Sequence, residues 1–164
     1  MGSRMRSYQV FAAMLPEDNI RFMKTLKGEA PAMFAQAVAA ASAAMKARPV
    51  YLLRQPFEKR AAAVRRALSR VTANAVADEV LAVYFLECRK DLLIEWLDLL
   101  GLDHEGGMLV DEAPEAPADG GLADAIGQFR KTDNDPDRDL LLRAFAAQDA
   151  IDWPALDASF DGGT

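Results

Sequence analysis

Cysteine and histidine are each present once in this chain, and both scarcities exclude chemistry. A single cysteine, Cys88, rules out an intramolecular disulfide; on an apolar stretch it reads as a small buried hydrophobe and points to a reducing cytoplasm. The single histidine, His104, is flanked by Asp103 and Glu105, but no second His or Cys stands at ligand spacing. Neither a metal centre nor a cofactor is therefore expected. For Cys88 and His104 to act as nucleophile and base, the fold would have to bring them together, and nothing in their spacing requires it. Phosphate-binding glycine loops and the Gly-x-Ser-x-Gly elbow are missing too, so a metal-dependent or thiol enzyme has no constellation behind it.

Long apolar runs are also lacking. No stretch of about 18 apolar residues is present, no signal-peptide pattern opens the chain, and the protein is expected to be soluble with no membrane partner. Met1–Arg4, ahead of Met5, reads as an appended leader and is left out of the fold reasoning. Strand signals are nearly absent. A composition of 51% hydrophobic and 27% charged residues suits an all-α domain and not a disordered chain.

Basic residues are scarce where acids are thickest. Residues 46–70 carry eight bases and one acid, and residues 71–164 carry six bases and 21 acids, although the whole chain is only at −6. Such an asymmetry serves solubility, attraction within the fold, or a charged partner.

Where apolar residues are dense, the densest run is Asn74–Leu102. Val76, Val80, Val83 and Tyr84 share one helical face, while Leu93, Trp96, Leu97 and Leu100 fall on the opposite one. Either the helix breaks between Glu87 and Asp91, or one long helix gives its halves to neighbours on opposite sides. No Gly or Pro lies between Asn74 and Leu100, which selects the second: a central helix capped by Asn74 and stopped by Gly101. Around it the pattern predicts helices over Ser7–Leu15, Pro16–Gly28, Pro31–Lys46, a short turn Pro49–Arg54, and Pro56–Val71. The expected fold is an all-α, irregular bundle of about six to eight helices. It has a core over 5–108, a flexible acidic linker over 109–121, and an accessory helical segment over 122–164 that ends in a short helix.

Two candidate interaction surfaces emerge. Helix Pro56–Val71 has Phe57, Ala61, Val64, Leu68 and Val71 along one side and Lys59, Arg65, Arg66 and Arg70 on the other. That basic face suits nucleic acid, but a pI of about 4.8 and the lack of interleaved aromatics favour pairing with neighbouring acidic helices. The second surface is Trp153, Leu156 and Phe160 at i, i+3, i+7, which suits docking in a groove, either on the chain's own body or on another molecule. Glu87, Asp91, Glu95 and Asp98 would line one helical stripe, read as solvated or cation-paired, because no Glu-x-x-His partners accompany them. Asp133–Asp139 spaces acids as a calcium loop does, yet Arg138 stands where glycine is needed and Ala144 where glutamate is, so helix capping is the better account. The reading that follows is a non-catalytic cytoplasmic protein working by protein association, with another protein or a homo-oligomer as partner. The alternative is nucleic-acid binding by the basic helix 56–71, and a second alternative is a metal-dependent or thiol enzyme.

Overall fold

The computed structural model describes residues 4–118 and 120–161. Among them are ten α-helices and one two-stranded hairpin, so the chain is an all-α helical bundle. Chain contacts divide it into two compact units, Ser7–Cys88 and, with the short segment 4–6, residues 89–161. That boundary lies inside the span 5–108.

The first unit holds α1 (Ser7–Ala13), α2 (Pro16–Glu29), α3 (Pro31–Ala44), α4 (Pro49–Leu53), α5 (Phe57–Leu68) and α6 (Asn74–Val83). Three of these start on proline, whose fixed φ and missing N–H suit the first helical position. Gly28 does not end α2. The helix runs to Glu29 and stops at Ala30, the residue ahead of Pro31, where the proline ring disfavours helical backbone. Phe22 sits between Phe11, edge-on at 5.6 Å, and Tyr84, stacked at 4.1 Å, and all three are fully buried. Burial of a phenylalanine side chain is worth about 1.5–3 kcal/mol, so this trio is a principal anchor of the unit.

Asn74 does not cap its own helix. Its Oδ1 accepts the Tyr8 N–H at 3.0 Å, and Ser7 Oγ donates to Asp78 Oδ1, so two α6 side chains one turn apart satisfy the start of α1. Val71, expected on an apolar seam, is instead exposed, as are Leu15 and Met45 inside the expected helix bounds. In each case the helix ends before the seam reaches them, at Ala13, Ala44 and Leu68.

The expected unbroken helix from Asn74 to Gly101 is two helices. α6 runs into a single π turn, Tyr84–Cys88, and Arg89 then leaves helical backbone at φ −133°, ψ 45° ahead of α7 (Lys90–Leu100). No glycine or proline is involved. The turn places the Arg89 guanidinium among Asp91, Asp135 and Asp137. This division takes the helix count from nine to ten, above the expected six to eight. Gly101 does terminate α7, at φ 71°, with the Leu102 N–H on the Leu97 carbonyl at 3.1 Å.

The second unit continues with a hairpin of β1 (His104–Glu105) and β2 (Met108–Leu109), then α8 (Gly121–Lys131), α9 (Asp137–Ala146) and α10 (Pro154–Asp161). Gly106 and Gly107 both hold positive φ, 58° and 94°, as a two-residue turn between paired strands requires. Trp96 centres the core, with Phe129 at 5.3 Å and Phe145 at 5.9 Å, and Phe145 in turn meets Trp153 at 5.3 Å. Tyr84, Leu93, Trp96 and Leu97 are all buried, as the apolar density predicts. Arg4, excluded from the sequence reading, donates to the carbonyls of Gln148, Asp149 and Ile151. No helix among the described residues is long and apolar enough to cross a membrane.

Candidate functional site

The corner joining α3 to α4 carries four of the eight large apolar side chains that are exposed among the described residues. α3 buries Phe34, Ala37, Val38 and Ala41 and ends at Ala44. Lys46 then takes the left-handed φ of 54° that glycine usually fills, and the Ala47 N–H returns to the Ser42 carbonyl at 2.9 Å. It is the only non-glycine residue at positive φ among those described. Arg48 is extended, as the residue before Pro49 must be, and α4 lasts only five residues. A helix that short buries one side chain, Leu52, and leaves its neighbours outside. Met45 is 43% exposed, Val50 47%, Tyr51 53% and Leu53 55%.

The rim of this corner is basic and unpaired. Lys46, Arg48 and Arg54 are exposed and make no ion pair among the described residues. The same holds for Lys59, Arg66 and Arg70, so the basic residues here do not pair with acidic helices as expected. Arg65 stands apart from Arg66 and Arg70. It is half-buried and donates to the Phe11 carbonyl at 3.3 Å. Arg60 lies 5.5 Å over the Phe57 ring, with Lys27 at 5.6 Å, so these two cations belong to the packing of α5.

In the second unit almost every arginine is engaged. Arg89 meets Asp91 at 3.2 Å, Asp135 at 2.8 Å and Asp137 at 2.9 Å. Burial works against its charge, but the hydrogen bonds it donates to Asp91 and Asp135 outweigh that and hold its pKa above the ordinary arginine value. Arg138 is buried, pairs with Glu95 and Asp133, and lies 4.7 Å over Phe129. Hydrogen bonding from Arg89 holds the Asp91 carboxyl below the usual range, and that from Arg138 does the same for Asp133. Asp135 is also lowered, its Arg89 contact prevailing over partial burial.

These contacts account for the acids singled out by spacing. The helix break removes Glu87 from the expected stripe, and the other three take separate partners: Asp91 takes Arg89, Glu95 takes Arg138, and Asp98 takes His104 at 2.8 Å. Within Asp133–Asp139, Asp133 and Asp135 accept the backbone N–H two residues on, at 2.9 and 3.0 Å, as turn and capping residues do. His104 Nδ1 accepts the Gly107 N–H at 3.2 Å, which places the ring proton on Nε2, facing Asp98. Among the described residues no group of three His, Cys, Asp or Glu could hold a metal ion.

Trp153 and Leu156 are buried in the second unit, and the indole N–H donates to the Pro114 carbonyl at 2.9 Å. Phe160 is half-buried beneath the guanidinium of Arg143, 4.8 Å from its ring. This arm is therefore docked on its own chain. The corner residues Val50, Tyr51 and Leu53 were not singled out by sequence. The signal available was an apolar run between Arg48 and Arg54 too short to bury itself. Comparison with models of known families, with curated proteins and with solved structures finds no match to this chain.

Proposed function

We propose that this is a non-catalytic protein that works by association with another protein, and that the α3–α4 corner is its docking surface. The observation that carries the reading is the exposure of Met45, Val50, Tyr51 and Leu53 together, within nine residues and among three unpaired cations. Scattered exposed apolar side chains need no explanation; four within nine residues, flanked by basic ones, have the composition of a binding site. Tyr51 at its centre is a residue type enriched in binding hot spots. The backbone of Lys46, held in a region that costs a non-glycine residue free energy, supports the same reading, because such strain concentrates at functional segments. The rim selects a partner with apolar residues beside carboxylates. A reducing, cytoplasmic location goes with this reading.

The test starts with cross-linking capture by the wild-type chain and by Tyr51→Ser/Leu53→Ser. An identified partner is then purified and titrated against both. Binding by the wild type that weakens with salt and falls at least tenfold in the variant supports the reading. A captured partner indifferent to those two substitutions overturns it. Salt-sensitive binding to random duplex DNA, lost on Arg66→Ser/Arg70→Ser and not on Tyr51→Ser/Leu53→Ser, transfers the function to the basic helix and nucleic acid.

A further inference from the structure

We propose that the occupant of the α3–α4 corner is a second copy of this chain, which presents the end of its hairpin, Met108–Glu112. The inference rests on the docking reading above and names the partner. Eight large apolar side chains are exposed among the described residues, and six of them fall in two places: Met45, Val50, Tyr51 and Leu53 at the corner, and Met108 and Val110 at the hairpin. The chain thus carries two exposed apolar clusters, each needing cover.

Their surroundings are opposite in charge. Lys46, Arg48 and Arg54 flank the first with no acid between residues 45 and 54. Around the second, Asp103, Glu105, Asp111, Glu112 and Glu115 are exposed, and they outnumber Lys90, which reaches the turn at Gly106. No ion pair occupies those five carboxylates among the described residues. Like patches meeting across a two-fold axis would bring cation towards cation or carboxylate towards carboxylate, which costs free energy. Corner to hairpin is the pairing that joins apolar to apolar and opposite charges around it. The Gly106–Gly107 turn projects Met108 and Val110 on a short two-stranded ribbon instead of folding them into a helix face.

A contact between different patches either closes on itself, when two copies exchange corner and hairpin reciprocally across a two-fold axis, or grows head to tail with concentration; altering either patch breaks both forms. Six side chains are also fewer than a permanent interface uses, and the association is therefore weak and reversible.

The experiment is sedimentation of the full chain from micromolar to sub-millimolar concentration, with two variants at exposed residues whose helicity is checked by circular dichroism. One variant is Tyr51→Ser/Leu53→Ser, the other Met108→Ser/Val110→Ser. The wild type is expected to exceed monomer mass at high concentration, as a closed dimer or a longer assembly, and to dissociate with added salt. Each variant alone should remain monomeric, and an equimolar mixture should form a one-to-one dimer and nothing larger, because only one complementary pair survives. A wild type that stays monomeric, a hairpin variant that still assembles, or a mixture that stays monomeric overturns the proposal. Those results leave the docking reading standing if a purified partner still depends on Tyr51 and Leu53; loss of that dependence as well ends both.

Discussion

The two units treat most of their cations in opposite ways, Arg21 with Asp18 being the first unit's exception. In 89–161, Arg89, Arg130, Arg138 and Arg143 each meet one or more carboxylates, and Arg138 and Arg143 also cover aromatic rings. In Ser7–Cys88, Lys46, Arg48, Arg54, Lys59, Arg66 and Arg70 meet none among the described residues. The cause is supply. With 21 acids for six bases in residues 71–164, any arginine that packs finds a carboxylate; with one acid for eight bases in 46–70, most remain in water. Arginines of the first kind hold a fold together. Cations of the second kind contribute little to stability and remain available to a partner.

The comparison breaks most visibly at the apolar centre of the acidic unit. Trp96→Ala should cost about 3–5 kcal/mol in denaturant unfolding, because it empties the space between Phe129 and Phe145. A loss within about 0.5 kcal/mol would mean that ion pairs, not the aromatic cluster, hold that unit. Arg138→Met comes next. It keeps the stem packed against Phe129 and strands Glu95 and Asp133; both carboxylates reach water, so the loss is expected at about 1–3 kcal/mol and not at the larger value of a fully buried pair.

Acid should act in the same direction and more weakly. Asp91, Asp133 and Asp135 have folded pKa values below 3.8, so their pairs stabilise fully above about pH 4, and that contribution drains away as pH falls through the lowered values. Urea midpoints measured from pH 7 down to pH 3 should fall below about pH 4, and Arg138→Met should flatten that fall by removing the partner of Asp133. Midpoints independent of pH across that range would show the aspartates to be unpaired in solution. The smallest effect is expected from Arg66→Ser/Arg70→Ser, within about 0.5 kcal/mol of wild type by thermal unfolding. A larger loss would show these cations to be structural and would erase the contrast.

Much of this was legible in the sequence. Pro16, Pro31 and Pro49 open helices and Gly101 closes one, because their backbone limits are local and act whatever surrounds them. The flip of apolar face after Tyr84 was visible too, but not its resolution: the chain turns at Arg89 because of Asp135 and Asp137, more than 45 residues away in sequence. Asn74 was misread for a related reason, since whether a polar side chain caps its own helix or another depends on what packs beside it. The hairpin was announced by Gly106–Gly107 and went unrecognised because two-residue strands show no alternation. Of the residues marked for interaction, Arg66 and Arg70 are free, Arg65 is engaged, and Trp153 and Leu156 are enclosed. Periodicity marks an apolar face and is silent on what covers it.

The clasp of Arg4 on the carbonyls of Gln148, Asp149 and Ile151, joined by the Met5 N–H on Asp157 Oδ1 at 2.9 Å, bears on the order in which the chain matures. These bonds close a loop of 144 residues or more. During synthesis the first unit has all its residues once Cys88 has emerged, whereas the second waits for α10 before residues 4–6 find their places. Closing so long a loop costs only logarithmically more than a short one, so the delay is set by translation and search and not by stability. The same proximity makes the chain a candidate for circular permutation: a short linker from the region of Asp157 to that of Met5, with new ends opened in the exposed stretch Glu115–Ala116, should preserve both units.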